Sequence, residues 1–398
     1  MRIFRYIVLL LSVFATLSSC KKDETPQVTS APHTIIFYFV GVSLDQYFQT
    51  NIEATIEALD NNIQGRSRVI ACCQNRKNNK MTISEFIYRN SKCKQEDIKT
   101  IDLPDMMDEQ RLAEILSDVM NIAPATSYGL VIGSHGLAWL QIGAEPTTGR
   151  AADFITHEEL WNFEGNTTTR YLGETNNPEN IFEMQTLSDA LTATGVKMDY
   201  ILFDACFMSN IEALYDLRTN ADYIIASPCE ILNAGFPYSD VIPLLLKNEG
   251  RAHDLDRVCY SYYDEYETSY GYSGAVALVD CSQMENLAKA MKEVNQNLNS
   301  NYNSALTQTY DGFNKHLFFD LGDFVSKACN NEQVKNQFKA QLERTIPSRY
   351  TTTSFFAGYG KTGIYPINPN VYSGITTSQP SELYRNNYMN TSWYRATH

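Results

Sequence analysis

The sequence predicts an α/β protein: a mostly parallel sheet flanked by helices on both faces, with a C-terminal elaboration. Three observations carry this reading. Apolar runs such as residues 34–40 and 200–203 show no polar alternation, as expected of strands buried on both faces. Segments whose apolar residues step by three and four lie between such runs. Strands that alternate with helices in this way become parallel neighbours joined by crossovers.

In chain order, residues 34–40 are a first central strand, and Ile52, Ile56 and Leu59 mark a helix behind it. A second apolar run at 68–73 and a more alternating one at 82–88 give a βαβ unit followed by a hairpin. From Glu109 onward, Leu112, Ile115, Leu116, Val119 and Met120 form an apolar stripe that Pro124 closes, which predicts an amphipathic helix. Residues 128–133 are the next strand, and 187–194 a short helix with Gly195 as its C-terminal cap. Then come a strand at 200–203, a helix marked by Met208, Ile211, Leu214 and Tyr215, and a strand at 223–226. Beyond these, 275–279 reads as a strand, 284–298 as a helix and 355–367 as a Gly-rich strand pair.

Residues 140–185 are a long polar insertion, of a kind that is usually functional or disordered inside an α/β domain. The expected division is a signal segment at 1–19, a linker at 20–32, a core at 33–238 carrying the insertion, and further strands and helices at 239–398 packed on that core.

Composition narrows the function classes. The 398 residues carry 32 Lys and Arg against 46 Asp and Glu, a net charge of −14, with no basic cluster, so nucleic-acid binding is disfavoured. A hydrophobic share of 43% and a charged share of 20% exclude global disorder. The nine cysteines have neither the density of a disulfide scaffold nor paired C-x-x-C knuckles. His157-Glu158-Glu159 lacks the second histidine of a zinc-peptidase helix, and vicinal Cys72-Cys73 lies in an apolar strand as core.

The N-terminus reads as an address. Arg2 and Arg5 precede an apolar run at 6–17 too short to span a bilayer comfortably, and Ser18, Ser19 and Cys20 follow. Leu17-Ser18-Ser19-Cys20 resembles a bacterial lipobox, in which Cys20 would be lipidated and become the new N-terminus. Losing Arg2 and Arg5 would take the net charge from −14 to −16. The expectation is an exported lipoprotein, anchored by lipid at the outer membrane or surface of a Gram-negative bacterium.

Two strand ends carry the chemistry. Ser134-His135-Gly136 stands where the strand at 128–133 stops, and Asp204-Ala205-Cys206 where the strand at 200–203 stops ahead of a helix. In open α/β sheets ligands bind at the carboxyl ends of the strands, so residues 71 apart in sequence would meet on one rim. A cysteine near a helix N-terminus and an imidazole makes a nucleophile with its base. Backbone N–H groups of Gly136 and Cys206 would receive an oxyanion. Singly, each residue has a plainer reading: a buried structural thiol and a loop or core histidine.

Ile132-Gly133-Ser134-His135-Gly136 and Phe203-Asp204-Ala205-Cys206-Phe207-Met208-Ser209 together resemble the histidine and cysteine motifs of the clostripain-like cysteine peptidases, relatives of caspases, gingipains and legumain. Ala226-Ser227-Pro228, Gly235-Phe236-Pro237-Tyr238, Phe319-Asp320-Leu321-Gly322-Asp323-Phe324 and Thr362-Gly363-Ile364-Tyr365-Pro366 resemble further strings of that family. The resemblance implies a caspase-like fold and an endopeptidase in which His135 is the general base and Cys206 forms a thioester.

It also implies that Asp204 lines a pocket for a substrate Arg or Lys, against the alternative that it caps the next helix; Glu230 is a weaker second acid, or a loop charge. The family often cuts its own chain between the two motifs. Arg150 is the candidate bond and Arg170 its competitor, against the plain reading of surface arginines. The product would be a monomer, whole or as two associated chains, acting on peptides or proteins. No cofactor is implied; some relatives use calcium, but no EF-hand spacing occurs. The competing readings are a noncatalytic surface lipoprotein that binds a partner through the same fold, and a peptidase of the same clan with non-basic specificity.

Overall fold

The computed structural model describes residues 30–61, 67–75, 78–90, 92–104, 107–140, 183–247 and 252–398. The signal segment, Cys20, most of the linker and insertion, Arg150, His157 and Arg170 lie outside the described residues. Ala31–His398 form one compact unit.

Its centre is β1 (Thr34–Phe39), every residue of which is buried, as the unbroken apolar run requires. Helix α1 (Asp45–Asn61) leads to β2 (Arg68–Gln74), which pairs parallel with β1. An antiparallel pair, β3 (Lys80–Arg89) and β4 (Lys92–Asp102), extends that edge. The sequence KCKQEDIKTID of β4 hides it from an apolar-run reading; lysines and alternating exposure suit a sheet edge that must resist pairing with other chains.

Helix α2 (Glu109–Ile122) buries the predicted stripe, and its N-terminus is capped by Asp108, whose carboxylate accepts from Arg111 N at 2.7 Å. Strand β5 (Tyr128–Gly133) pairs parallel with β1. Helix α3 (Met184–Thr194) ends at Gly195, whose φ of 69° is the left-handed cap expected from its position. Strands β6 (Met198–Asp204) and β7 (Ala221–Ala226) continue the parallel series, with α4 (Ile211–Asp216) between them.

Helices α5 (Tyr238–Leu245) and α6 (Leu255–Ser269) precede β8 (Val276–Asp280), and α7 (Met284–Asn295) follows it. The rest comprises β9 (Phe319–Asp320), α8 (Leu321–Ala328), α9 (Glu332–Thr345), β10 (Ser348–Tyr350), the antiparallel pair β11 (Ser354–Ala357) and β12 (Gly363–Pro366), β13 (Thr376–Thr377), α10 (Arg385–Tyr388) and α11 (Ser392–Thr397). The order of the main sheet is β10-β8-β7-β6-β5-β1-β2-β3-β4, parallel from β7 through β2 and antiparallel at both edges.

Alternation along β1 divides the core. Phe37 and Phe39 have no exposed surface and stack on each other at 5.1 Å. Phe39 also stacks on Phe48 of α1, and Phe37 meets Tyr238 of α5 edge-on. Burying each of these rings contributes about 2 to 3 kcal/mol. On the other face Tyr38 lies toward α2, which packs against α3.

Candidate active site

Gly133 and Asp204 are partners in the β5–β6 ladder. His135 and Cys206, each two residues further on, therefore leave adjacent parallel strands side by side, about 4.8 Å being the usual spacing between strands. Gly136 shows how close the two segments come. A Cβ on it would stand 2.3 Å from the carbonyl oxygen and 3.1 Å from the nitrogen of Cys206, so only glycine fits, and it sits beside the Cys206 N–H. Ser134 N also reaches Asp204 O at 3.4 Å.

The strand end of β1 adds a contact the sequence did not announce. Ser43, in the turn after β1, places its hydroxyl 2.8 Å from His135 Nε2. A Cβ on Gly41 would stand 3.6 Å from the ring's Cδ2. His135 and Cys206 are themselves fully buried.

The cysteine does not stand directly on a helix N-terminus as its strand–helix context suggests. Asn210 is the N-cap, its side chain accepting from Ala213 N, so α4 starts five residues after Cys206, and Met208 lies ahead of it. A helix dipole acts within about one turn and contributes little at that distance. Instead, the backbone of Ile231 meets the sulfur, its N–H donating to Cys206 Sγ from 3.3 Å and its carbonyl oxygen accepting from the thiol at 3.8 Å. Between cysteine and helix the chain turns through Phe207, whose φ of 60° is unusual for a residue with a Cβ. Its ring is held in a stack on Phe318 at 4.6 Å, and its N–H bonds Cys229 O.

The C-terminal strands fasten this turn. Ser209 Oγ donates to Gly374 O at 2.6 Å, Thr376 N to Ser209 O at 2.8 Å, and Asn210 Nδ2 to Thr376 Oγ1 at 3.2 Å. Asp320, in the string 319–324, is a buried hub: Ser373 N and Tyr310 OH donate to one oxygen and Asp323 N to the other. Ser378 joins the segments that follow β5 and β6. It accepts from Trp139 Nε1 at 2.7 Å, and its N–H donates to Glu212 of α4, which Thr377 also bonds.

Burial raises the Glu212 carboxyl from 4.5 to about 7, against the pull of the Thr377 and Ser378 hydrogen bonds. A raised pKa in the folded state means that folding favours the protonated acid. Its contribution is complete below about pH 4.5 and is lost as pH rises through about 7. Relative to Glu212→Gln, the wild-type chain should therefore lose a few kcal/mol across that window and then hold a constant difference. Unfolding midpoints of both chains from pH 4 to pH 8 measure this; parallel pH profiles would contradict it.

The two predicted acids are both fully buried. Asp204 Oδ2 accepts from Tyr238 OH at 2.9 Å, the residue that opens α5. Glu230 turns its carboxylate onto Gly358 N and Tyr359 N at 3.0 Å and anchors the loop after β11. Cys229 is core, and all eight cysteines among the described residues are free thiols.

The model of the clostripain family, peptidase C11, matches residues 147–397. A secreted C11 cysteine protease from Bacteroides thetaiotaomicron, "iotapain", is 31% identical, with a TM-score of 0.79 over 93% of this chain and 100% of its own. An inactive zymogen C11 protease from Parabacteroides distasonis is 24% identical, with a TM-score of 0.75 over 93% of this chain and 99% of its own. A clostripain from Bacteroides thetaiotaomicron, solved with the peptide inhibitor BTN-VLTK-AOMK, is 36% identical over 55% of this chain and 95% of its own, with a TM-score of 0.50. No curated protein matches the sequence. The mostly parallel sheet flanked by helices is the caspase-like architecture that the motifs imply.

Proposed function

This chain belongs to the clostripain family and is a cysteine peptidase, and from that premise we propose that His135 and Cys206 are its catalytic dyad and that it cuts peptide chains after Arg or Lys. The observation that carries the dyad is the placement of both residues two positions beyond a paired Gly133 and Asp204, with Gly136 packed on the Cys206 backbone. The thiolate of Cys206 attacks the scissile carbonyl carbon. The N–H groups of Gly136 and Cys206 receive the oxyanion, and His135 delivers a proton to the departing amine, leaving a thioester. Water then attacks the thioester while His135 takes its proton, releasing the carboxylic acid and restoring the thiolate.

Basic specificity rests on Asp204, a carboxylate at the strand end two residues before the nucleophile. The inhibitor on the related clostripain carries the sequence VLTK, which ends in lysine. The Tyr238 hydrogen bond favours a second reading in which Asp204 only positions α5. Asp204→Asn separates the two, because the amide oxygen still accepts from Tyr238 while the charge is gone. Under the pocket reading, kcat/KM for Arg and Lys peptides falls by about 10²-fold or more relative to Leu peptides, through loss of a charge-assisted contact. Unchanged ratios would remove Asp204 from the pocket. Glu230, spent on the Gly358 and Tyr359 N–H groups, takes the secondary part.

With both dyad residues buried, a substrate reaches them only after covering chain moves aside. This supports self-activation by cleavage at Arg150, with Arg170 as the alternative bond, giving two associated chains of a monomer. Export with lipid on Cys20 is supported by the secreted description of iotapain. Labelled fatty acid incorporated into the wild type but not into Cys20→Ala tests the anchor.

A further inference from the structure

The opposite ends of the same strands hold a second cluster. His33 immediately precedes β1, Asp199 is the second residue of β6, and His253 stands just ahead of α6. Cys206 lies seven residues up the strand direction from Asp199, which at 3.3 Å per residue puts the cluster roughly 20 Å from the dyad. Asp199 Oδ2 is 3.0 Å from His253 Nε2 and 3.9 Å from His33 Nδ1. One ligand atom from each of the three residues falls within 4.8 Å of the others. The two imidazole rings are 4.5 Å apart between centroids.

The surroundings prepare these groups as ligands. Tyr200 OH donates to Leu245 O at 3.1 Å and lies 3.3 Å from His33 Nε2, the nitrogen turned away from Asp199. His33 Nδ1 faces the Asp199 carboxylate and stands 2.8 Å from Ser127 Oγ, whose hydroxyl donates to Pro32 O at 3.1 Å, so a metal bound at Nδ1 replaces the Ser127 contact. A hydrogen bond to the far nitrogen of a ligating histidine is the usual outer shell of a metal centre. His253 is nine-tenths buried, and its Nδ1 has no hydrogen-bond partner among the described residues. One ligand atom from each of His33, Asp199 and His253 thus faces a common point where a cation can replace the Ser127 and Lys247 contacts. Lys247 Nζ reaches Asp199 Oδ2 at 3.2 Å, and its side chain is 40% exposed, so it can withdraw to solvent.

We propose that His33, Asp199 and His253 form a binding site for a divalent transition-metal ion such as Zn²⁺, completed by water, which staples the start of β1 to β6 and to the head of α6. Two imidazoles and one carboxylate suit Zn²⁺, Co²⁺ or Ni²⁺ and not the oxygen-only preference of Ca²⁺ or Mg²⁺. An ion bound only by the folded chain raises its stability by mass action.

The test uses the exported chain carrying Cys206→Ala, which removes the active-site thiol as a rival ligand. After chelator treatment, Co²⁺ should bind at one equivalent, with visible d–d bands and no near-ultraviolet thiolate band. Zn²⁺ should displace it and raise the thermal midpoint. His253→Ala and Asp199→Asn should each lower the affinity at least about tenfold, the size of effect expected for loss of a ligand contact. Lys247→Met removes the competing ammonium and should bind Zn²⁺ more tightly, a result that a purely structural ion-pair cluster does not produce. Absence of saturable Co²⁺ binding, a thiolate band, or equal affinity in His253→Ala and Lys247→Met would overturn the site.

Discussion

Cys206→Ala should lower kcat/KM for fluorogenic peptides ending in Arg or Lys by at least about 10⁴-fold, because in the proposed mechanism the residue supplies the atom that bonds to substrate. His135→Ala should fall by a similar factor, and the double variant no further, since a nucleophile and its base act as a unit. The fold should survive. The lost sulfur leaves a small void and one N–H, that of Ile231, without its acceptor. Together these cost about 1 to 2 kcal/mol, a shift of a few degrees in Tm. Activity remaining in Cys206→Ala would overturn the mechanism. Mass spectra of the same preparations bear on processing: the wild type should be cut at Arg150, or at Arg170, and Cys206→Ala should remain one chain. An uncut wild type, or an equally cut variant, sinks self-activation.

Gly136→Ala should be nearly as damaging, though it removes no reactive group. The new methyl would stand 2.3 Å from Cys206 O and 3.1 Å from Cys206 N, and the obstacle is backbone, which cannot rotate away as a side chain could. The two segments must separate, and the Gly136 and Cys206 N–H groups proposed to receive the oxyanion move apart. Loss of one oxyanion donor costs about 10²- to 10³-fold in kcat, and overpacking adds about 1 to 3 kcal/mol of instability. A drop in kcat with KM little changed is the expected signature in steady-state assays. Wild-type kcat in a stably folded Gly136→Ala would show that the Gly136 N–H takes no part.

Much of this was legible in the primary structure, and for identifiable reasons. The runs at 34–40, 128–133 and 200–203 are apolar without alternation because both faces of β1, β5 and β6 are covered. The stripe from Leu112 to Met120 is read from local spacing, which packing preserves. Strand β4 was missed because its edge position calls for charge, and helix α6 because tyrosines and acids, LDRVCYSYYDEYETS, blur its stripe. The start of α4 was placed too early because Met208 is apolar for a different reason, lying in the buried turn that Phe207 creates.

What the sequence by itself determined is the mostly parallel sheet, its doubly covered strands, and the pairing of a histidine motif with a cysteine motif on one rim. Hydrophobic periodicity and short motifs are local signals, and each survives folding unchanged. Only the tertiary structure decided what surrounds the dyad. Ser43 on His135, Ile231 N–H on the Cys206 sulfur, and Ser378 between Trp139 and Glu212 join residues 92, 25, 239 and 166 positions apart. No local pattern encodes such contacts, because they arise from strand register and from where the C-terminal strands return to the sheet. Glu230 is the clearest case: the sequence leaves it a weak second acid or a loop charge, and only the fold shows that Gly358 and Tyr359, more than a hundred residues on, present the N–H groups its carboxylate holds.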